Sequence, residues 1–234
     1  MREDLFKGSI NGIPLIKFQK KDIIDKTVQG SIYMNSLKYY REEYNKSLDE
    51  EIGDPCEGML YINEGHMIVY NENSKDITEV KQLQNTIIHT VNSDDYVFCM
   101  FGINPKFCHS FRFSDEQKKK WLEIYDTALL ITDSEDFFKR IAIASQNEGL
   151  ELSGGFVNYY NEQSGDISPW ISSVINGTNS VAYYKRMRYA YQQEFRIIAP
   201  SGKKDNLEID IGNISGISEV FSLEVFLNSE FTPH

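Results

Sequence analysis

The stretch Tyr183-Tyr-Lys-Arg-Met-Arg-Tyr-Ala-Tyr-Gln-Gln-Glu-Phe-Arg-Ile-Ile-Ala-Pro200 gathers cations and tyrosines around one acidic residue, Glu194, before it becomes apolar. Its second part, Tyr191 to Ile198, predicts a strand, because aromatic and β-branched residues favour strands. Residues two apart on a strand point to the same face, so we expect Glu194 and Arg196 side by side. Two interpretations are open: a site for a charged, ring-bearing ligand, or a cross-strand salt bridge on a solvated face.

The sequence around this stretch mixes strands and helices without a regular β-α-β-α order. The predicted strands are Leu15 to Phe18, Ser31 to Asn35, Tyr96 to Phe101, Thr127 to Ile131, Ser180 to Tyr184, Leu207 to Ile211 and Ile217 to Phe221. The predicted helices are Asp22 to Val28, one capped by Ser36 and ending near Asn45, Asp115 to Tyr125, one opened by Thr132-Asp-Ser-Glu135 and ending near Asn147, and Ser222 to Leu227. This pattern is typical of the α+β class.

We therefore expect a single compact α+β domain over residues 1–234, with a mixed, mainly antiparallel sheet and inserted helices. Its first part, to about residue 150, is helix-rich, and residues 151–234 are strand-rich. Met59 to Ile62 and Met67 to Tyr70 flank Asn63-Glu-Gly-His66 and predict a hairpin. Phe107 to Phe113 predicts a further strand, and the glycine-rich segment Leu150 to Pro169 predicts a loop or a short hairpin.

The charge of the chain is unevenly distributed. The net charge is −11, yet residues 181–204 carry six cations and one anion. The overall field disfavours nonspecific binding to duplex DNA, but it permits a local anion site or binding to a basic protein surface. Apolar runs such as Thr127 to Ile131 are too short to span a membrane, and the N-terminus lacks the apolar core of a signal peptide. We expect a cytoplasmic protein without a membrane partner.

Metal and nucleophile motifs are missing from the sequence. The three cysteines form no C-x-x-C pair, and the histidines show no H-x-x-x-H spacing, so we predict no metal site. The sequence also has no G-x-S-x-G elbow, P-loop or dinucleotide fingerprint. No cofactor is therefore indicated by a motif.

Three segments contain the candidate site residues. Glu194 is the catalytic candidate, since a carboxylate on a strand can bind a ribose hydroxyl or stabilise an oxocarbenium-like cation. The arginines of the stretch could grip a pyrophosphate, and its tyrosines could stack on a ring. The ligand-binding candidates are Arg196, Arg188, Arg186 and Tyr191 in this stretch, Asp54 and Glu57 in Gly53-Asp-Pro-Cys-Glu-Gly58, and Asn35 at the end of a strand. The other interpretation of the second segment is an acidic surface turn, and that of the third is a structural role.

Four segments occur in an order that resembles a loosely defined family of uncharacterised bacterial and phage proteins. They are Met34-Asn-Ser-Leu-Lys-Tyr-Tyr-Arg41, Gly53-Asp-Pro-Cys-Glu-Gly58, Val97-Phe-Cys-Met-Phe101 and Tyr189-Ala-Tyr-Gln-Gln-Glu-Phe-Arg196. That family carries an early acidic turn and a late Glu-x-Arg strand, and some members occur in mobile elements and defence loci. The resemblance implies an ADP-ribosyltransferase-like fold with Glu194 as the catalytic glutamate. The chain departs from the family pattern at Gln192, where a glutamate is usual.

Three functional hypotheses follow. The first is an ADP-ribosyltransferase or NAD glycohydrolase of a phage or bacterial conflict system, with NAD as substrate and Glu194 as the key carboxylate. The second is a non-enzymatic, acidic, phage-encoded inhibitor that binds a basic protein of a bacterial defence complex. The third is a module that senses a nucleotide without turning it over. Nicotinamide release from NAD separates the first from the other two.

Overall fold

A sheet of eight strands forms the centre of the computed structural model, which describes residues 13–47, 53–70, 77–90, 92–103, 111–163, 180–202 and 204–231. Its strands are β1 (Leu15–Gln19), β2 (Ser31–Ser36), β5 (Tyr96–Gly102), β6 (Thr127–Ile131), β7 (Ser153–Phe156), β10 (Glu194–Ala199), β11 (Asn206–Asp210) and β12 (Ser218–Ser222). They pair antiparallel in the order β11-β2-β5-β1-β6-β12, with β10 beside β5 and β7 beside β10. The predicted α+β class with a mainly antiparallel sheet is confirmed.

Two further pairs of strands lie outside this sheet. The long strands β3 (Leu60–Tyr70) and β4 (Ile77–Ile88) pair antiparallel, and the short strands β8 (Asn158–Tyr160) and β9 (Tyr184–Arg186) pair parallel. The hairpin predicted around Asn63-Glu-Gly-His66 is wrong, because these residues continue β3, with Glu64 opposite Gln84. The segment contains no Asn-Gly, Asp-Gly or Gly-Gly pair of the kind that favours a two-residue hairpin turn, and the strand pairing continues through it.

The helices lie close to their predicted positions: α1 (Lys21–Val28), α2 (Leu37–Ser47), α3 (Asp115–Ile124), α4 (Ser134–Asn147) and a C-terminal helix (Leu223–Leu227). Ser36 Oγ accepts a hydrogen bond from Tyr39 N over 3.1 Å, which confirms the predicted cap of α2. The cap of α4 is Asp133, one residue later than predicted, and its carboxylate accepts from Asp136 N. In the described part of the chain, no helix is long and apolar enough to cross a membrane.

The segment before β10 differs from its prediction. Val181–Tyr183 and Met187–Gln192 are 3-10 helices, so residues 180–183 are not a strand and the strand predicted from Tyr191 begins only at Glu194. Tyrosines have high strand propensity, yet the chain between Lys185 and Glu194 turns so that the two side chains pair. This tertiary contact overrides the strand propensity of the segment. Gln193, with φ 41° in the left-handed region, ends the second 3-10 helix.

Two other predicted segments differ from the structure or lie partly outside the described residues. The segment Leu150 to Pro169 contains β7 and β8, but these pair with β10 and β9 rather than with each other, so they form no hairpin. Residues 164–169 lie outside the described ranges. Of the strand predicted over Phe107 to Phe113, residues 107–110 also lie outside them, and Phe111 forms an isolated bridge with Phe231.

The two faces of the sheet are covered differently. On one face, α1 and α4 contribute Ile24, Phe137, Phe138 and Ile141 to the largest apolar cluster, which includes Phe195 and Ile197 of β10. On the other face, an aromatic cluster around Phe18, Phe101 and Trp121 covers one end. A small cluster of Leu37, Val97, Ala182 and Ile198 covers the other end. The space between these two clusters is where polar side chains enter the fold.

The sheet forks at β5. One edge of β5 pairs with β10 along its length, from Glu194 opposite Phe101 to Ala199 opposite Tyr96. Its other edge is shared: β1 pairs only at Gly102 and Phe101, and β2 pairs only at Val97 and Tyr96. Neither β1 nor β2 therefore pairs with the middle of that edge, around Cys99. A fork of this kind leaves room for side chains and a ligand next to a central strand.

Candidate functional site

A pocket of about 300 Å³ opens at the fork of the sheet. Its size is at the lower end of the range for small-molecule sites. Its charged lining residues are Lys17, Asp54, Glu57, Lys185, Glu194 and Arg196. Its aromatic lining residues are Phe18, Tyr39, Tyr40, Phe101, Trp121 and Tyr125, and its amide lining residues are Gln19, Asn35 and Gln192. Rings, amides and opposite charges around one small cavity suit a polar ligand that carries a ring.

Four of the charged residues form a closed ring of alternating sign, here called the charge ring: Glu57, Lys185, Glu194 and Arg196. Glu194 Oε1 accepts from Lys185 Nζ, and Glu194 Oε2 accepts from Arg196 Nε, each over 2.7 Å. Glu57 closes the ring, with Oε2 3.1 Å from Lys185 Nζ and Oε1 2.8 Å from Arg196 Nη2. Arg196 Nη1 also donates to Ala182 O. The ring is buried, so the interpretation of Glu194 and Arg196 as a salt bridge on a solvated face is wrong.

A second buried ion pair lies behind the charge ring. Arg186 donates to Asp54 Oδ1, and the ring of Tyr189 lies 4.8 Å from Lys185 Nζ and 5.5 Å from the Arg186 guanidinium carbon. Asp54 and Glu57 are 2% and 4% exposed, so the interpretation of this segment as an acidic surface turn is also wrong. The tyrosine therefore packs on the cations and does not line the pocket.

The chain segment around Asp54 positions both carboxylates by local hydrogen bonds. Asp54 Oδ1 accepts from Cys56 N over 2.8 Å, and Glu57 N donates to Asp54 O over 3.0 Å. Arg41 on α2 holds the end of the turn, since its Nη1 donates to Glu57 O over 2.6 Å and to Ser93 O over 2.8 Å. The Gly53-Asp-Pro-Cys-Glu-Gly58 sequence is thus a buried turn that delivers Glu57 to the charge ring.

The backbone of β10 fixes Glu194 from the other side. Glu194 is the first residue of the strand, directly after the left-handed Gln193. Its N–H donates to the Tyr159 hydroxyl over 2.9 Å, and its carbonyl accepts from Val157 N. Cys99 lies opposite Arg196 on β5, so the neighbouring strand completes the wall of the pocket. Every polar group of Glu194 thus has a defined position.

The neighbouring charges set the protonation states of Glu194 and Lys185. Burial opposes ionisation of Glu194, but Arg196 and Lys185 outweigh it, so the pKa of Glu194 lies well below its usual range. Burial likewise favours a neutral Lys185, yet Glu194 and Glu57 hold its pKa well above the ordinary lysine value. Glu194 and Lys185 are therefore both ionised at neutral pH.

The pKa of the Asp54 carboxyl is raised, first by burial and then by the Glu57 charge, against the opposing effect of Lys185 and Arg186. Burial also raises the pKa of the Cys99 thiol to about 12 and that of Cys56 to about 11. Neither cysteine is therefore a thiolate nucleophile at neutral pH. In the described ranges, no group of His, Cys, Asp and Glu side chains is arranged to hold a metal ion.

The structure brings five of the predicted site residues together: Asn35, Asp54, Glu57, Glu194 and Arg196 all line the pocket. Three others lie elsewhere. Arg186 is paired with Asp54 behind the pocket, and the half-exposed Arg188 lies 3.5 Å from Glu162. Tyr191 packs under Lys120 of α3, with its ring 4.1 Å from Nζ. The arginine clamp for a pyrophosphate is therefore not formed by Arg186 and Arg188.

Sequence reasoning did not select Lys17 or Lys185 as site residues. Lys185 lies in the opening stretch, but only the fold shows that it joins Glu194 to Glu57. Its Nζ also donates to Gln192 Oε1 over 2.7 Å, so Gln192 supports the charge ring without adding charge. Lys17 interrupts the apolar segment Leu15 to Phe18, and a charged residue inside a buried strand was the available signal.

Comparison of the chain with protein-family models, with curated proteins and with solved structures finds no match in any of the three.

Proposed function

We propose that the protein binds a nucleotide of the NAD class in the pocket at the fork of the sheet. Glu194 then assists cleavage or transfer at the bond between nicotinamide and ribose. The observation that carries this proposal is an ionised, buried carboxylate held in one position on the wall of a ring-lined pocket. Fixed charges that need no reorganisation during the reaction are the most effective form of electrostatic catalysis.

The ionisation state of Glu194 selects among glycosidic substrates. Cleavage of an O-glycosidic bond requires a protonated acid that gives its proton to the leaving oxygen. Glu194 cannot act as that acid, because its pKa lies well below the usual range. The nicotinamide ring of NAD already carries a positive charge, and it leaves as a neutral ring when its bond to C1′ breaks. An ionised carboxylate alone therefore suits this substrate.

The carboxylate retains acceptor capacity for a ligand. A carboxylate offers about four lone-pair positions, and Lys185 and Arg196 each use one of those on Glu194. A remaining position can accept from a ribose hydroxyl, while the carboxylate charge stabilises the cation that develops on the ribose. Water then adds to C1′ and releases a proton to solvent, or an acceptor nucleophile takes the place of water. Since two cations offset the charge of Glu194, we expect slow turnover.

The aromatic lining provides the surface for the ring. Tyr40, Trp121 and Tyr125 line the same pocket as Glu194. Burial, the largest influence, raises the pKa of Tyr40 well above its ordinary value, so its hydroxyl remains a hydrogen-bond donor. Stacking of a base or nicotinamide ring on aromatic side chains is worth roughly 1–3 kcal/mol per ring. The tyrosines of the opening stretch are not needed for this contact.

The direct test is nicotinamide release from NAD, followed by chromatography, together with calorimetric measurement of NAD binding. We expect slow release by the protein and release at the uncatalysed rate by Glu194→Gln, which keeps the shape of the side chain without its charge. Glu219→Gln, which changes an exposed carboxylate on β12, is the matched control and should release nicotinamide as the unchanged protein does. Circular dichroism establishes that both variants fold. The proposal is rejected if the unchanged protein neither binds NAD at millimolar concentration nor releases nicotinamide.

A further inference from the structure

Lys17 occupies the fork of the sheet. Pairing of β1 with β5 stops at Ile16, so Lys17 is the first residue of β1 beyond the paired part. Its Nζ donates to Cys99 O over 2.7 Å, on the edge of β5 that neither β1 nor β2 covers there. Nζ also lies 4.5 Å from the centre of the Phe98 ring, and Lys17 is one of the lining residues of the pocket. The ammonium is thus held beside the cavity by a carbonyl and a ring face.

Lys17 differs from the other pocket cations in its charge partners. Lys185 and Arg196 each contact both Glu57 and Glu194. Within the part of the chain that the structure describes, no carboxylate forms an ion pair with Lys17. Among the residues that the structure describes, the pocket therefore combines a charge ring whose members pair with one another and a cation, Lys17, that has no carboxylate within ion-pair distance.

Lys17 is partly buried, and an ammonium in such a place without a carboxylate partner among the described residues is costly. Buried charges in proteins are normally paired, because removing an isolated ion from water costs several kcal/mol. Burial accordingly lowers the pKa of Lys17 below the ordinary lysine value, although the Cys99 and Glu194 side chains oppose this shift. An anion that enters the pocket would remove this cost.

We propose that Lys17 binds the phosphate of the nucleotide and so selects phosphorylated ligands over the corresponding nucleosides. This inference rests on the proposed function, which it deepens by assigning the ligand's anionic group. Lys17 on β1 and Glu194 on β10 lie on opposite sides of β5, so one pocket offers a cation and a carboxylate across one strand. In a bound nucleotide, the ring would contact the aromatic wall, the ribose would contact Glu194 and the phosphate would contact Lys17.

Lys17 also has a structural contact, and the variant must separate the two roles. Its bond to Cys99 O bridges β1 and β5 where the strands diverge. Lys17→Gln removes the charge and keeps an N–H donor on a side chain that is one atom shorter. Lys119→Gln, on the exposed side of α3, removes one positive charge away from the pocket and is the matched control. Lys17→Arg keeps the charge and tests whether the ammonium itself is required.

The experiment compares two ligands that differ only in one phosphate: nicotinamide mononucleotide and nicotinamide riboside. Calorimetry on the full chain gives both dissociation constants. We expect the unchanged protein and Lys119→Gln to bind the mononucleotide roughly tenfold to a hundredfold more tightly, as a charge-assisted contact predicts. In Lys17→Gln this preference should fall to less than about threefold, with the riboside affinity unchanged within about a factor of two.

The failures of the two proposals are distinguishable. If the unchanged protein binds none of the three ligands, which are the mononucleotide, the riboside and NAD, the proposed function fails and the Lys17 assignment fails with it. If it binds them but Lys17→Gln keeps the full phosphate preference, the assignment to Lys17 is overturned and the proposed function stands. Should Lys17→Gln not fold, the unchanged protein still decides: equal affinity for the two ligands overturns the inference.

Discussion

Phe195, Ile197 and Ala199 on one face of β10 pack into the largest apolar cluster, whereas Glu194 and Arg196 on the other face are surrounded by charges. Phe195 and Arg196 are each only 1% exposed, so the strand is buried on both faces. The apolar face is stabilised by contacts that have no required direction. The charged face depends on each carboxylate and each cation having its partner.

Even with these ion pairs, some polar atoms of the charged face lack a hydrogen-bond partner among the described residues. Within the described ranges, Glu57 Oε1 accepts no well-directed hydrogen bond although Arg196 Nη2 is 2.8 Å away, and Arg186 Nε donates none. Apolar residues of similar size would often stabilise a fold as well as a buried ion pair does. A chain that keeps such charges beside a pocket is more easily explained by function than by stability. Three substitutions test this difference between the faces.

The largest expected effect is on the charged face, with Arg196→Met. This change removes the partner of Glu194, Glu57 and Ala182 O while it fills similar space. Because it leaves buried carboxylates without their guanidinium, we expect the free energy of unfolding to fall by about 3–5 kcal/mol. Urea denaturation measures it. Arg188→Met is the control, since the side chain is half-exposed, and should change the free energy by about 0–1 kcal/mol.

A loss below about 1 kcal/mol for Arg196→Met would contradict this account. It would mean that the charge ring contributes little beyond what a well-packed apolar side chain supplies. The two faces of β10 would then be energetically alike, and the buried charges would need no functional explanation.

The second prediction concerns pH. The pKa of Glu194 is lowered from its ordinary value of 4.5, so its charge adds stability that is present above about pH 4.5 and is lost as the pH falls towards the native pKa. Glu194→Gln lacks this contribution. The difference in unfolding free energy between the unchanged protein and Glu194→Gln should therefore shrink by about 1–2 kcal/mol between pH 5 and pH 3.

Urea denaturation of both proteins at a series of pH values measures that difference. The raised pKa of Asp54 acts in the opposite direction, but it is present in both proteins and largely cancels in the comparison. Glu219→Gln on the exposed side of β12 serves as the control and should follow the unchanged protein at every pH. A difference that stays constant down to pH 3 would show that the charge of Glu194 is not stabilised by the fold.

The sequence predicted the two faces of β10 but not what each face meets. Alternation in Glu-Phe-Arg-Ile-Ile-Ala correctly placed Glu194 and Arg196 together, because the period of a strand is two. The cap at Ser36 was also predictable, since it depends on residues next to one another. Features with local causes were accessible in this way.

The charge ring was not accessible, because Glu57 and Arg196 come from distant parts of the chain and only the tertiary fold brings them within 2.8 Å. The depth of burial was missed for the same reason: a carboxylate in a glycine-bounded turn has the sequence of a surface loop. Lys17 was overlooked since its place beside the pocket depends on the fork between β1 and β2, and strand pairing cannot be read from one strand. The site is therefore a property of topology more than of motif.

The smallest expected effect is on the apolar face, with Ile197→Val. Ile197 is fully buried in the largest cluster, and the substitution removes one methylene group, so the free energy of unfolding should fall by about 0.5–1.5 kcal/mol in urea denaturation. Neighbouring side chains can partly close the space, whereas no neighbour can replace a guanidinium. The informative quantity is the ratio of the loss in unfolding free energy for Ile197→Val to that for Arg196→Met. Equal losses would mean that packing, rather than charge pairing, limits both faces of β10, and the pocket-facing charges would then have no special energetic status.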